Sequence, residues 1–244
     1  MTDSGKRDTL FELPREDLVD FAFDERVADV FPDMVRRSVP GYEQIVTLSG
    51  LLAAQYATPD SRLYDLGCSL GAVTLSMLRR TPASVCITAV DNSAAMVARC
   101  RAIMDREADG QRVTVTCADI ADTPVDDAAF IAMNLTLQFI APEKREALLR
   151  RLHQGLRDDG ALLIAEKIRF EDPAEQAFNE ELHAAFKAAN GYSELEIAQK
   201  RNALERVLIP NTLDEHITRL HAAGFSSVLP WFRCFNFVAL LARP

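Results

Sequence analysis

The sequence predicts an α/β fold, a doubly wound and mostly parallel seven-stranded sheet that ends in an antiparallel hairpin. Short apolar runs alternate with helical patterns between about residues 62 and 166, and this alternation is typical of parallel strands joined by helices. The last two apolar runs follow each other without a helix between them, as in a hairpin. A glycine-rich turn directly after the first run is the third observation, because such a turn joins the first strand of a doubly wound sheet to a helix.

The parallel part of the sheet is predicted to contain five strands, with helices between most of them. The strands are expected at residues 62–66, 85–91, 113–119, 130–137 and 160–166. The helices are expected near residues 71–80, 93–107 and 143–157. Asn92 and Ser93 are suitable caps for the second of these helices, and Pro142 suits the first turn of the third. Asp159 and Gly160 are expected to close the third helix before the next strand begins.

The carboxy-terminal part of the sequence has a different character. Residues 173–206 are densely charged and show a helical pattern, and residues 212–223 show another. Residues 226–231 and 235–242 are predicted to be two closing strands, which pair antiparallel through a turn at residues 233–234. A parallel sheet finished by such a hairpin, with a helical insertion before it, is the architecture of the class I methyltransferase-like, or Rossmann-like, fold.

Length and composition predict a single domain over residues 1–244, with a helical amino-terminal part at 1–58 and a helical insertion at about 173–223. With 48% hydrophobic residues, the chain can bury one sizeable core. It contains 27 Lys and Arg against 36 Asp and Glu, a formal net charge of -9. Because this charge repels polyanions, nucleic acid is not expected as a direct partner.

Several other properties point away from membranes and metals. The sequence has no apolar run near the roughly 18 residues that span a bilayer, and residues 1–6 lack the apolar core of a signal peptide. We therefore expect a cytoplasmic protein with no membrane partner. The five cysteines do not have the spacing of a metal site, so they are expected to be reduced and no metal is expected. The four histidines lie in charged helical patterns and are expected to be solvated.

The most informative motif is the segment 63–71, in which an apolar run ends in an acidic residue and a glycine-rich turn. The glycines allow the backbone to approach a ligand closely, and the helix that follows offers unpaired amide donors. The second strand then runs into Asp91, a carboxylate that can accept hydrogen bonds from both hydroxyls of a ribose. Together the two strands predict a nucleoside ligand.

Polar residues at the ends of four predicted strands are expected to meet in one crevice. Ligands of open α/β sheets bind outside the carboxyl ends of the strands, where Gly67 to Ser69, Asp91, Asp119 and Asn134 would lie. Asp119 and Ile120 can offer a carboxylate and apolar cover to an adenine, and Asn134 an amide to the amino-acid end of the ligand. An alternative for Asn134 is an amide that stabilises its own turn. The combined spacing predicts an adenosyl cofactor.

Several stretches of the sequence resemble a known family over about residues 8–241. They are residues 23–34, 38–42, 65–71, 91–93, 134–139, 189–197 and 199–201. The strand-end loops would fit many methyltransferases, whereas the Phe-Pro-Asp-Met segment at 31–34, residues 38–42 and residues 189–201 are more particular. On these residues the sequence is similar to the carboxy-S-adenosyl-L-methionine synthases, a family within the class I methyltransferase superfamily.

The resemblance implies an unusual reaction. Enzymes of this family convert S-adenosyl-L-methionine and prephenate to carboxy-S-adenosyl-L-methionine and phenylpyruvate, so S-adenosyl-L-methionine is a substrate and its carboxylated form a product. The methyl group is deprotonated to a sulfonium ylide that captures the carbon dioxide released from prephenate. A separate enzyme then uses the product for oxyacetyl modification of a tRNA wobble uridine. The resemblance also implies a homodimer, with the charged segment 173–206 as a plausible exchanged element.

The resemblance also implies roles for individual residues. Nine residues fall on the family's cofactor-binding positions: Tyr42, Gly67, Cys68, Ser69, Asp91, Asn92, Asp119, Ile120 and Asn134. Arg201 falls on the family's carboxylate-binding arginine, and we expect it to be both cofactor-binding and catalytic. A planar guanidinium can grip a carboxylate through two parallel hydrogen bonds. From the helical pattern alone, Arg201 would instead be interpreted as a solvated charge.

Two other classes of function remain open from the residues alone. A conventional small-molecule methyltransferase that uses S-adenosyl-L-methionine would share every strand-end loop. It would need a site for a nucleophilic acceptor and no carboxylate grip. A non-catalytic adenosyl-binding protein would bind the ligand without turnover.

Overall fold

The computed structural model describes residues 6–13 and 21–244 of the 244-residue chain. Over these residues the helices are α1 Glu25–Ser38, α2 Tyr42–Tyr56, α3 Ala72–Leu78, α4 Ala94–Met104, α5 Pro142–Gly155, α6 Pro173–Ala189, α7 Glu194–Leu204 and α8 Leu213–Ala222. The strands are β1 Arg62–Leu66, β2 Cys86–Asp91, β3 Val113–Cys117, β4 Ala128–Asn134, β5 Leu156–Lys167, β6 Ser227–Cys234 and β7 Phe237–Arg243. Within these ranges, no helix is both long enough and apolar enough to span a bilayer.

The strands form one seven-stranded sheet with the order β3-β2-β1-β4-β5-β7-β6. The first five strands in this order run parallel to their neighbours. Strand β7 pairs antiparallel with both β5 and β6, so the closing hairpin is inserted with its second strand next to β5. This arrangement confirms the predicted class I methyltransferase-like fold with its antiparallel carboxy-terminal hairpin.

The core lies on both faces of the sheet, as the alternating side chains of β4 show. Phe130 and Ala132 pack in a cluster with residues of α2, α3 and α4, whereas Ile131 and Met133 pack in a second cluster with residues of α5 and α8. All four side chains are fully buried. Because successive strand residues point to opposite faces, this division places helices on the two sides of the sheet. Full burial of each large apolar side chain stabilises the fold by about 1.5–3 kcal/mol.

The boundary between α5 and β5 differs from the prediction. Helix α5 ends at Gly155, and β5 begins at Leu156 without a loop, so Asp159 and Gly160 lie inside the strand and do not close the helix. The first part of β5 is irregular, because its pairing with β4 shifts register between Ala128 and Phe130. A Cβ atom on Gly160 would lie 2.8 Å from the carbonyl oxygen of Ala128. The glycine therefore permits a close approach between strands, a different role from a helix cap.

The turn of the closing hairpin lies two residues later than predicted. Cys234 pairs with Phe237, which leaves Phe235 and Asn236 as the loop. Phe235 has a φ of 51°, a left-handed conformation that tight hairpin turns require and that glycine or asparagine usually supplies. Because a phenylalanine occupies this position, the sequence contains no ordinary signal for the turn.

The charged segment 173–206 forms two helices that are fixed to the amino-terminal part of the chain. Helix α6 begins after the N-cap Asp172, and α7 begins with a capping box between Ser193 and Glu196. Tyr192, which joins the two helices, donates a hydrogen bond from its hydroxyl to Asp8. On α7, the Lys200 ammonium donates a hydrogen bond to the Ser38 hydroxyl at 2.8 Å. These buried polar contacts hold α7 close to the end of α1.

Candidate active site

The turn between β1 and α3 has a backbone that only glycine can readily adopt at two positions. Gly67 has a φ of 80° and Gly71 a φ of 83°. A Cβ atom on Gly67 would lie 2.1 Å from the Thr136 hydroxyl oxygen, so a side chain there would displace the turn after β4. The two turns therefore lie against each other at the carboxyl edge of the sheet, which is where parallel α/β sheets bind ligands.

Asp91, the last residue of β2, is held in place by two backbone amides. One carboxylate oxygen accepts a hydrogen bond from the Ser69 N–H at 2.8 Å, and the other accepts one from the Ser93 N–H at 2.9 Å. Burial raises the pKa of Asp91, although both amide hydrogen bonds oppose this shift. Each carboxylate oxygen keeps a second lone pair, so the side chain can still accept hydroxyl groups of a sugar.

Asp119 and Ile120 lie in the loop after β3, which ends at Cys117 and not at residue 119 as predicted. The exposed Asp119 carboxylate accepts a hydrogen bond from the Ala121 N–H at 2.8 Å, which fixes the bend of the loop. The side chain of Ile120 is buried, with 5% of its surface exposed. The loop thus presents an exposed acceptor beside an apolar surface, a combination that suits an adenine.

Asn134, the last residue of β4, has a side-chain oxygen without a partner. Its amide nitrogen donates to the Ser49 hydroxyl at 3.2 Å, and that hydroxyl in turn donates to the Ile45 carbonyl at 2.7 Å, which settles the orientation of the amide. The Asn134 Oδ1 atom is buried, and it has no hydrogen-bond partner among the residues that the structure describes. The side chain does not stabilise its own turn through the contacts observed, and its free acceptor suits a ligand ammonium group.

The turn after β4 is held by Glu166, a residue that the sequence analysis did not select. The carboxylate of Glu166 accepts hydrogen bonds from the backbone N–H groups of Thr136, Leu137 and Gln138, at 3.1, 2.8 and 3.0 Å. Burial raises the pKa of Glu166 to about 8, against the opposite effect of these hydrogen bonds. The turn includes Leu135 with a φ of 55°, an uncommon conformation that the Glu166 contacts help to maintain.

Glu166→Gln is expected to weaken both the fold and the binding of an adenosyl ligand. The amide nitrogen of glutamine would meet backbone N–H donors, and the loss of one acceptor at a buried site costs about 1–3 kcal/mol of unfolding free energy. Thermal and urea unfolding measure the first effect, and calorimetric titration with S-adenosyl-L-methionine measures the second. Glu146→Gln on the exposed surface of α5 is the matched control. Equal stability of the two variants would contradict the assigned role of Glu166.

The nine strand-end and loop residues that the sequence predicted to touch an adenosyl ligand all line one cavity. They are Tyr42, Gly67, Cys68, Ser69, Asp91, Asn92, Asp119, Ile120 and Asn134. This first cavity has a volume of about 620 Å³, within the range of small-molecule sites. Its remaining wall is largely apolar and includes four phenylalanines: Phe21, Phe23, Phe31 and Phe139. Ring centroids within this aromatic wall lie 5.2 to 6.2 Å apart, in edge-to-face contacts.

Asp65, the acidic residue of the segment 63–71, also lines the first cavity, although it was not among the predicted ligand contacts. It is buried within β1, and its carboxylate accepts a hydrogen bond from the Thr74 hydroxyl at 2.5 Å. Burial raises the pKa of Asp65 to about 6. The pKa of Tyr42 rises to about 12, mainly through burial and also through the charge of Asp65, so its phenol remains a donor at neutral pH.

Arg201 lies outside the first cavity, on α7, where it lines a second cavity of about 370 Å³. The two cavities share the aromatic wall, together with Val35 and Leu135. The second cavity also contains Lys167, His183 and Lys187, none of which the sequence analysis selected. Arg201 itself is exposed. The arrangement therefore places a cation-lined space directly beside the space that carries the predicted adenosyl contacts.

Two of the four histidines are not solvated as predicted. His183 and His216 are buried, with 7% and 2% of their surfaces exposed. The His183 Nε2 atom lies 2.8 Å from the Ser38 carbonyl oxygen, and burial lowers the pKa of this imidazole to about 3. His183 is therefore neutral near pH 7, because packing between α6 and the end of α1 removes it from water. Among the described residues, no cluster of three or more His, Cys, Asp and Glu residues is arranged to hold a metal ion.

Comparisons with known proteins agree with this geometry. Residues 63–160 match a family model described as a methyltransferase domain. The chain is 53% identical over 239 residues to the carboxy-S-adenosyl-L-methionine synthase of Geobacter sp. (strain M21), covering 97% of this chain and 98% of the relative. It is 54% identical over 246 residues to the enzyme of the same name from Pseudomonas entomophila (strain L48), covering 99% and 100%.

Solved structures with low sequence identity share the fold. An O-methyltransferase family protein from Burkholderia thailandensis aligns with a TM-score of 0.65 at 19% identity, covering 91% of this chain and 60% of that one. An O-methyltransferase family 2 protein from Planctomyces limnophilus aligns with a TM-score of 0.62 at 17% identity, covering 92% and 62%. The chain thus spans about three fifths of the length of these structures. At such identities the likeness supports the architecture alone.

Proposed function

We infer the reaction from the family to which the chain belongs, the carboxy-S-adenosyl-L-methionine synthases. The protein is an enzyme, a transferase that converts S-adenosyl-L-methionine and prephenate to carboxy-S-adenosyl-L-methionine and phenylpyruvate. The identity of more than 50% over nearly the whole length of both chains is the observation that carries this assignment. The product is the donor for oxyacetyl modification of a tRNA wobble uridine by a separate enzyme.

The proposed chemistry moves one carboxylate from prephenate to the methyl carbon of S-adenosyl-L-methionine. The ring carboxylate of prephenate leaves as carbon dioxide, the ring becomes aromatic, and hydroxide departs from the ring. That hydroxide takes a proton from the methyl group and becomes water, which leaves a sulfonium ylide. A carbon–carbon bond then forms between the ylide carbon and carbon dioxide. In this scheme the protein binds both substrates, orients them and excludes water, and no side chain has to act as the base.

The two adjoining cavities support different roles for their residues: those of the first cavity bind S-adenosyl-L-methionine, and Arg201 of the second binds the transferred carboxylate. In the proposal, Asp91 accepts the ribose hydroxyls, Asp119 and Ile120 contact the adenine, and Asn134 accepts a hydrogen bond from the ammonium group. In the same proposal, the sulfonium methyl group lies near the aromatic residues that line both cavities, where it can meet prephenate directly. Arg201, which lines the second cavity, binds the carboxylate that is transferred.

Mass spectrometry of the small molecule that copurifies with the protein tests the proposed function. After denaturation, the expected mass is that of S-adenosyl-L-methionine plus carbon dioxide. Addition of prephenate and S-adenosyl-L-methionine to the protein should increase this species and release phenylpyruvate. A conventional methyltransferase would instead release S-adenosylhomocysteine only when a nucleophilic acceptor is supplied, and it would not consume prephenate.

We also propose that the enzyme is a single-domain cytoplasmic homodimer that does not bind nucleic acid directly. The formal charge of -9 supports the last point, because an acidic surface repels a tRNA. Light scattering measures the mass in solution, and a gel-shift assay with tRNA tests for direct binding.

A further inference from the structure

The second cavity gathers cationic side chains from three separate elements. Lys167 comes from the end of β5, Lys187 from α6, and Lys200 and Arg201 from α7. The carboxylates that line the same space are those of Glu180 and Glu205. Cations therefore outnumber carboxylates in the lining by four to two. Lys200 is buried, Lys167 and Lys187 are half-buried, and Arg201 is exposed. Positive charge that is removed from water is costly unless an anion compensates it.

The partners of these cations show which of them remain available. The Lys200 ammonium donates to the Ser38 hydroxyl and lies 3.5 Å from a carboxylate oxygen of Asp8, so the fold already uses its charge. For Lys167, Lys187 and Arg201, the described residues provide no side-chain hydrogen bond or ion pair. All three line a cavity, where a ligand could reach them.

The cations of the second cavity also affect one another's pKa values. Burial, together with the neighbouring charges of Lys167, Lys200 and Arg201, lowers the pKa of Lys187 to about 7. The pKa of Lys167 is lowered by burial as well. A bound anion would raise the pKa values of both lysines, because it compensates the charges that now repel each other.

The rest of the lining suits an apolar ring. Phe139 and the other members of the aromatic wall form one side, and Phe237, Leu204 and Leu208 line the same space. An apolar cavity with a few cationic groups is the ordinary form of a site for an organic anion. Its volume of about 370 Å³ is in the range of small-molecule sites.

We propose that the second cavity binds the co-substrate, an organic acid with one carboxylate on an apolar ring and a second on a side chain, and that Lys187 and Lys167 bind the carboxylate that stays on it. This inference rests on the proposed function, in which prephenate is that acid. Its two carboxylates have different fates. The ring carboxylate is transferred and is bound by Arg201, whereas the carboxylate of the pyruvyl side chain is retained in the product. The retained group needs its own cations. Besides Arg201, Lys187 and Lys167 are the cations of the cavity without a side-chain hydrogen bond or ion pair among the described residues, although the charge of Glu180 acts on Lys167.

The binding of the dianion is expected to depend on pH. Lys187 is protonated below its pKa of about 7, so the affinity is expected to be highest below pH 7 and to fall as the pH rises. The charged and titratable groups that face Lys187 are Lys167 on β5, Glu180 and His183 on α6, and Lys200, Arg201 and Glu205 on α7. His183 is neutral in this range. Lys200, with a pKa lowered to about 8, is held by Ser38 and Asp8 and is not expected to bind the dianion.

Steady-state kinetics of Lys187→Met test the inference, with prephenate and S-adenosyl-L-methionine varied in turn. The expected result is a rise of about tenfold to a hundredfold in the KM for prephenate, as for the loss of one charge-assisted contact, with the KM for S-adenosyl-L-methionine unchanged. Lys187→Arg should recover most of the affinity because it restores the positive charge. Lys144→Met, on the exposed surface of α5, is the matched control. Calorimetric titration with prephenate should show the same loss of affinity without turnover.

The outcomes separate this inference from the proposed function. Failure of the wild-type protein to convert prephenate would overturn the proposed function. Conversion by the wild type, together with an unchanged KM for prephenate in Lys187→Met, would overturn the inference alone. If Lys187→Met does not fold, the KM for prephenate of Lys167→Met on β5 tests the inference instead. A rise in the KM for both substrates would also overturn the inference, because it would show a general distortion of the site.

Discussion

Arg201→Met is expected to reduce formation of carboxy-S-adenosyl-L-methionine by about a hundredfold to a thousandfold, the cost typical of removing one preorganised charged donor from a reacting group. The variant loses the guanidinium that grips the transferred carboxylate. Binding of S-adenosyl-L-methionine should change little, because Arg201 lines the second cavity and not the first. Product formation is measured by mass spectrometry under single-turnover conditions, and binding by calorimetry.

Arg201→Lys is the sharper comparison. It keeps the charge but cannot form two parallel hydrogen bonds, so its activity should lie between those of the wild type and Arg201→Met. Arg150→Met, which removes an exposed arginine of α5 that pairs with Glu146, is the matched control. Full activity of Arg201→Met would show that the arginine belongs to a solvated surface, and it would overturn the assignment of Arg201 to the transferred carboxylate.

Asp91→Asn is expected to weaken binding of S-adenosyl-L-methionine by about tenfold to a hundredfold, equivalent to about 1.4–2.8 kcal/mol. The carboxylate now accepts hydrogen bonds from the Ser69 and Ser93 amides and keeps lone pairs for a sugar. An asparagine places an amide nitrogen against one of these donors and removes a charged acceptor. Calorimetric titration gives the affinity.

The matched control for Asp91→Asn is Asp126→Asn, which changes a carboxylate that is largely exposed and pairs with Arg62. The control should bind the ligand as tightly as the wild type. If both variants retained full affinity, the ribose would have to lie away from the end of β2, and the assignment of the first cavity to the adenosyl group would fail.

The sequence was sufficient for most of the fold because the periodicity of the core elements is strong. The five parallel strands and the helices between them were located to within a few residues, apart from the start of β5. That start was misplaced because Asp159 and Gly160 have the composition of a helix end, whereas the structure uses the glycine for a close approach to β4. The hairpin turn was misplaced because Phe235 adopts a left-handed conformation without the usual residue types.

Some residues of the candidate site could likewise be predicted from the sequence, and others could not. The adenosyl contacts could be predicted because the ends of parallel strands converge on one edge of a sheet, whatever the details of packing. The roles of Glu166 and Lys187 could not be predicted. A local sequence pattern does not show that the Glu166 carboxylate on β5 holds the turn after β4. A local pattern also does not show that the face of α6 that carries Lys187 is turned toward α7. Such placements depend on tertiary packing between segments that are distant in the chain.

The aromatic wall has a consequence for inhibitor design. Because Phe21, Phe23, Phe31 and Phe139 line both cavities, the two substrates would bind in adjoining spaces with their reacting groups next to each other. A single compound that joins an adenosine to an aromatic dicarboxylic acid through a short linker could therefore occupy both spaces. A methyltransferase without the cation-lined second cavity would bind only the adenosine half of such a bisubstrate compound, so selectivity would come from the other half.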